Sequence, residues 1–165
     1  MGFLAMVKIW IATLLGLALC TPLAAQDRLA AALAQYQHET DPVRKARILA
    51  KLGNDQVELA KKQLKSGEDV ASLHTLEQYR DEVRETVAGL KATGVDAERK
   101  PAGFKELQIS LRETIRHIDD LIFTLPVDKR PFFRAVRDDA AKEQNDLIDV
   151  LFPRKLDQNS KKSNP

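Results

Sequence analysis

The apolar residues of this chain recur three and four apart over long stretches, and that spacing is what most narrows its fold. From Asp41 onward Val43, Ala46, Leu49, Ala50, Leu52, Val57, Ala60 and Leu64 form one stripe, as residues sharing a face of an α-helix do. Asp41 as N-cap and Pro42 at the first helical position mark its start. Gly67, which can take the left-handed conformation, marks its end. A second stripe follows at once: Val70, Leu73, Leu76, Tyr79, Val83, Val87 and Leu90 run to Gly94. Glu68 and Asp69 stand where negative charge favours the start of that helix.

A tight reversal at Ser66-Gly67 makes the numbers of facing residues sum to a nearly constant value. Leu64 then meets Val70, Ala60 meets Leu73, Val57 meets Leu76, Ala50 meets Val83, Ala46 meets Val87 and Val43 meets Leu90. Lys51 falls opposite Glu82, and Arg47 falls close to Glu85. After a connector from Ala92 to Gly103 the plan repeats. Phe104, Leu107, Leu111, Ile115, Ile118, Ile122 and Leu125 make one stripe, which Pro126 stops. Asp128 is the expected cap of a last helix, with Pro131 in its first turn and Phe132, Phe133, Val136, Ala140, Leu147, Val150 and Leu151 on its apolar face. The facing pairs are Phe104 with Val150, Leu107 with Leu147, Ile115 with Ala140, Ile118 with Val136, and Ile122 with Phe132. Asp120 falls opposite Arg134, Arg116 opposite Asp138, and Glu113 opposite Lys142.

The expected fold is all-α: antiparallel hairpins at 42–91 and 104–152, packed as a four-helix bundle with coiled-coil-like seams. Two tandem hairpins in an extended arrangement are the alternative. Asp27 to His38, with Leu29, Leu33 and Tyr36 on one face, is a shorter extra helix lying across an open edge. Residues 26–152 make one helical domain, and the polar, aperiodic residues 153–165 read as a disordered tail.

The first twenty-five residues fix a compartment. Lys8 precedes an apolar run from Ile9 to Leu19, and Leu23-Ala24-Ala25 ends on the small residue that a signal peptidase requires. Residues 1–25 therefore read as a signal peptide, and the protein as periplasmic or secreted. Two other fates stay open. Leu17-Ala18-Leu19-Cys20 resembles a lipoprotein lipobox with Leu19 where a smaller residue is usual, and an uncleaved anchor would need a longer apolar run than this one. The only cysteine, Cys20, and the only tryptophan, Trp10, both precede the expected cut. The exported domain would then fold on its apolar core without a disulfide.

The hairpin that begins Asp41-Pro42-Val43-Arg44-Lys45-Ala46 and continues through Leu59-Ala60, Gly67-Glu68-Asp69 and Tyr79-Arg80-Asp81-Glu82-Val83 resembles exported bacterial helical-hairpin domains of unknown function. The spacing of Leu59-Ala60 and Gly67 is also similar to a single tetratricopeptide unit, but no second copy follows at a period of about 34 residues. The resemblance implies a bacterial, exported helical protein and no particular chemistry.

Charge and composition narrow the partners. With 26 basic and 24 acidic residues the chain carries +2, too little for the basic face that nucleic acid requires. No glycine-rich phosphate loop or nucleophile elbow is present, and serines 66, 72 and 110 stand in no recognisable array with a histidine. No cofactor is expected, nor a membrane span after signal cleavage. A non-enzymatic protein that binds another envelope protein or itself is the leading expectation. A periplasmic holding chaperone or stress sensor and a metal-binding helical bundle are the alternatives.

The metal reading rests on Glu113, His117 and Asp120, one helical turn apart and able to present oxygen, nitrogen and oxygen on one face. Against it stand their expected ion pairs with Lys142 and Arg134. His38 and His74 read as solvated. Arg130, Arg134 and Arg137 form a row that could hold phosphate groups, unless Asp119, Asp120, Asp138 and Asp139 neutralise it. Lys61, Lys62 and Lys65 suit a helix C-terminus without any ligand. Gln144 opposite Leu111 and Gly53 within the first long helix break the pattern mildly.

Overall fold

A computed structural model describes residues 23–153. Of the expected signal peptide (1–25), Leu23, Ala24 and Ala25 form the start of the first helix, while its residues 1–22 and residues 154–165 of the expected tail (153–165) lie outside the described residues. Within them the chain is all-helical, with five helices and no strand: α1 (Leu23–His38), α2 (Pro42–Lys65), α3 (Asp69–Ala92), α4 (Phe104–Thr124) and α5 (Arg130–Leu151).

Local chemistry sets the ends. The Asp41 carboxylate accepts from the Arg44 amide at 2.7 Å, so α2 begins on a side-chain cap with Pro42 behind it. At its other end the Glu68 amide donates to the Gln63 carbonyl and the Gly67 amide to that of Leu64, with Gly67 at φ 79°. This is a Schellman closure, and it needs a residue without a Cβ penalty at Gly67. Gly103 opens α4 at φ 84°, and its amide donates to the Glu106 carboxylate at 2.8 Å. The expected start of α5 is corrected. Lys129, not Asp128, holds the N-cap position, with no side-chain cap, and its ammonium binds the Asp69 carboxylate at the start of α3.

α2 packs against α3 and α4, α5 packs against α4 and α3, and α1 lies on α2. The shared interior divides into two apolar clusters. Leu49, Leu52, Tyr79, Val83, Leu107, Leu111 and Leu147 belong to the larger one, and Val57, Ala60, Leu76, Ile118, Phe133 and Val136 to the smaller.

Two residues placed on apolar stripes point to solvent. Val70 is 84% exposed, not buried against Leu64, because Asp69 already begins α3 and the first turn projects past the end of α2. Phe132 is 62% exposed and Phe133 is 2% exposed. The buried face of α5 runs Phe133, Val136, Ala140, Leu147, Leu151, and neighbours in a helix diverge by about 100°. Phe133 therefore takes the place beside Ile122 expected of Phe132. Gly53, in contrast, does what a mid-helix glycine can. A Cβ there would stand 2.7 Å from the Tyr79 hydroxyl oxygen and 2.8 Å from Thr114 Oγ1, so its absence lets α3 and α4 close onto α2.

Candidate functional site

The acidic and histidine row of α4 does not converge. Glu113 and Asp120 are exposed and His117 is half-buried. Among the described residues no group of three or more His, Cys, Asp or Glu side chains is placed to hold a metal ion. The Glu58 carboxyl on α2 is held below its ordinary range by its hydrogen bond from Lys61. His38 and His74 are exposed.

The expected pairings of charges also change partners. Between α4 and α5 the ion pair is Arg137 with Asp119, bidentate at 3.0 and 3.1 Å. Asp120 with Arg134, Arg116 with Asp138, and Glu113 with Lys142 are not among the ion pairs of the described residues. Nor are Lys51 with Glu82 and Arg47 with Glu85: Glu85 takes Lys45 at 2.7 Å, Arg47 reaches Glu106 on α4 at 3.1 Å, and Glu82 accepts from Gln56 at 2.9 Å. Long side chains reach a turn along the neighbouring helix, so facing position does not settle the partner. The arginine row is split in the same way. Arg137 is held by Asp119 and Asp138, Arg130 donates to the carbonyls of Leu125 and Phe123, and Arg134 is exposed. Asp139 pairs with Arg84 of α3 instead.

A polar waist separates the two apolar clusters. Gln56, Tyr79 and Thr114 are buried beside Gly53, and neither the Tyr79 nor the Thr114 hydroxyl has a hydrogen-bond partner among the described residues. Burial raises the Tyr79 phenol far above its ordinary range, against the lowering effect of the neighbouring Thr114 hydroxyl, which stands close to it without forming a well-aligned hydrogen bond. Glu82, at the edge of this waist, has its carboxyl raised by burial and by the neighbouring Glu85, against the lowering effect of Gln56 and Lys45.

A concave surface lies where α1 turns into α2. Tyr36, buried, donates its hydroxyl to the Glu82 carbonyl at 3.0 Å and stands 2.9 Å from Thr86 Oγ1, which itself donates to that carbonyl at 2.8 Å. Burial lifts this phenol to about 12, against the opposing bond from Thr86. Lys45 Nζ lies 4.6 Å from the centre of the Tyr36 ring while binding Glu85, a cation over an aromatic face. The Glu39 carboxylate accepts from the amides of Thr40 and Asp41 and so fixes the turn. Beside these groups is an open hollow of about 430 Å³, bordered by Glu39, Thr40, Lys45, Glu85, Thr86 and Gly89. A Cβ on Gly89 would meet nothing within 4 Å.

Sequence reasoning placed Tyr36 on the inner face of the short helix but did not connect it to Thr86, Lys45 or the hollow. The available signal was the turn Glu39-Thr40-Asp41-Pro42, whose acidic side chains cap free amides and fold α1 back. No protein-family model, curated protein or solved structure matches the chain.

Proposed function

We propose that this protein is an exported, non-enzymatic adaptor: two antiparallel helical hairpins packed as a four-helix bundle, strapped by α1, which docks another envelope protein at the hollow beside α1. The pairing reading is supported by contacts whose numbers rise on α2 as they fall on α3: Lys45 with Glu85, Gln56 with Glu82, Gln63 with Thr75. Export rests on the sequence alone, on Lys8, the apolar run and Leu23-Ala24-Ala25. It accords with the resemblance to exported hairpin domains.

The observation that carries the adaptor reading is the hollow itself. Its walls are locked in place by the Tyr36, Thr86 and Glu82 hydrogen bonds, while Gly89 leaves room for an incoming side chain. Lys45, Glu85 and Glu39 supply the polar border that protein interfaces have around an anchor. A photoreactive side chain at Gly89 tests it in living cells. One dominant protein adduct that disappears on Lys45→Glu supports the adaptor. A diffuse mixture of adducts, or none from a stably folded variant, overturns it.

A further inference from the structure

Four of the large apolar side chains that the fold leaves exposed lie at one end, far from the hollow. Val70 is 84% exposed, Phe123 78%, Val127 76% and Phe132 62%. They belong to three adjoining pieces: the first turn of α3, the last turn of α4, and the α4–α5 loop with the start of α5. Lys129 holds these pieces together through Asp69, next to Val70, and Arg130 holds them through the carbonyls of Leu125 and Phe123. The result is an exposed apolar tip.

Charge around this tip is unequal. Lys61 is matched by Glu58 and Lys129 by Asp69. That leaves Lys62, Lys65, Arg130 and Arg134 against Glu68, Asp120 and Asp128 at the helix ends that form the tip. The tip thus carries a small excess of positive charge, four basic side chains against three acidic ones.

We infer that this tip docks on an anionic lipid bilayer, with Phe123 and Phe132 entering the headgroup boundary and the lysines and arginines reaching the lipid phosphates around them. Projecting aromatic rings ringed by long basic side chains suit a surface that is apolar inside and negative outside. Two copies placed tip to tip would bring like charges together. The tip and the hollow lie at opposite ends of α3, so this inference does not depend on the adaptor reading.

The test places a reporter at the tip itself. In the full chain with Trp10→Phe, Phe132→Trp makes the tip residue the only tryptophan, and Phe152→Trp does the same at the far end, where Phe152 is 71% exposed. Vesicles of equimolar phosphatidylglycerol and phosphatidylcholine should shift the emission of the Phe132→Trp protein to the blue. The same vesicles should leave the Phe152→Trp protein unshifted, as should pure phosphatidylcholine with either. Replacing Lys62 and Lys65 by glutamine should weaken the response about fivefold for each charge removed. No shift with anionic vesicles overturns the inference, as does an equal shift at both ends or with neutral vesicles. A blue shift that depends on protein concentration without lipid assigns the tip to a second copy and overturns it too.

Discussion

Replacing Gly53 by alanine sets two effects of opposite sign against each other. Glycine inside a helix is about 1 kcal/mol less favourable than alanine, so at an open position the substitution would stabilise. Here the new methyl carbon would sit 2.7 Å from the Tyr79 hydroxyl oxygen, 2.8 Å from Thr114 Oγ1 and 3.1 Å from Tyr79 Cζ. Tyr79 is fully buried at the boundary between the two apolar clusters and cannot swing into solvent. Overpacking of this kind costs about 1–3 kcal/mol, which offsets or exceeds the propensity gain and leaves a net loss of up to about 2 kcal/mol. In a Tyr79→Phe background the nearest contact vanishes, and Thr114 can turn its hydroxyl to its other helical rotamer. Gly53→Ala should then be close to neutral. Tyr79→Phe alone should cost little, since it removes a buried hydroxyl that has no hydrogen-bond partner among the described residues. Urea unfolding of the four proteins closes the cycle, with an expected coupling of up to about 2 kcal/mol between positions 53 and 79. Stabilisation by Gly53→Ala in the parent protein, or the same change in both backgrounds, would refute the reasoning.

Three further outcomes follow from the packing and the buried polar groups. Phe133→Ala should cost about 3–5 kcal/mol and Phe132→Ala under about 0.5 kcal/mol; equal losses in denaturant melts would mean that the two faces of α5 have been exchanged. Tyr36→Phe removes the hydroxyl that ties α1 to α3, and should cost about 1 kcal/mol and speed amide exchange in α1 more than in α2; uniform acceleration across both helices would contradict a locally held strap. The Glu82 carboxyl is raised in the folded protein by burial, so folding disfavours its ionised form. Its effect on stability is therefore best below the ordinary carboxylate range and worsens as pH rises through the raised folded value. Glu82→Gln should gain stability over the parent at pH 7 and lose that advantage at pH 4, and thermal melts at the two pH values that show a neutral-pH loss would reverse the sign.

The helices were legible because their signals are local. Pro42 after Asp41, Gly67 after Lys65, and the three-and-four recurrence of Leu49, Leu52, Val57 and Ala60 each act within one turn of chain. Pairings of charges were less legible because a lysine or arginine can choose among carboxylates a turn apart at nearly equal energy, which is how Arg137 comes to hold Asp119 while Arg134 stays exposed. The hollow was not legible at all. It depends on α1 folding back so that Tyr36 reaches the Glu82 carbonyl on α3, a contact between segments 46 residues apart that no periodicity encodes.

The two misplaced apolar residues connect this to function. Phe132 and Phe133 are adjacent, and a stripe drawn from sequence accepts both, yet one helix can bury only one of two residues set about 100° apart. Packing against Ile122 and Val136 in the smaller cluster selects Phe133. Phe132 is then left in solvent at a place where serine or lysine would serve the fold as well. Val70 and Phe123 are left out in the same way at the neighbouring helix ends. Single exposed apolar residues need no explanation, but apolar residues gathered on three adjoining segments do. The internal packing does not use them, and docking on a bilayer is what would give their apolar character a role.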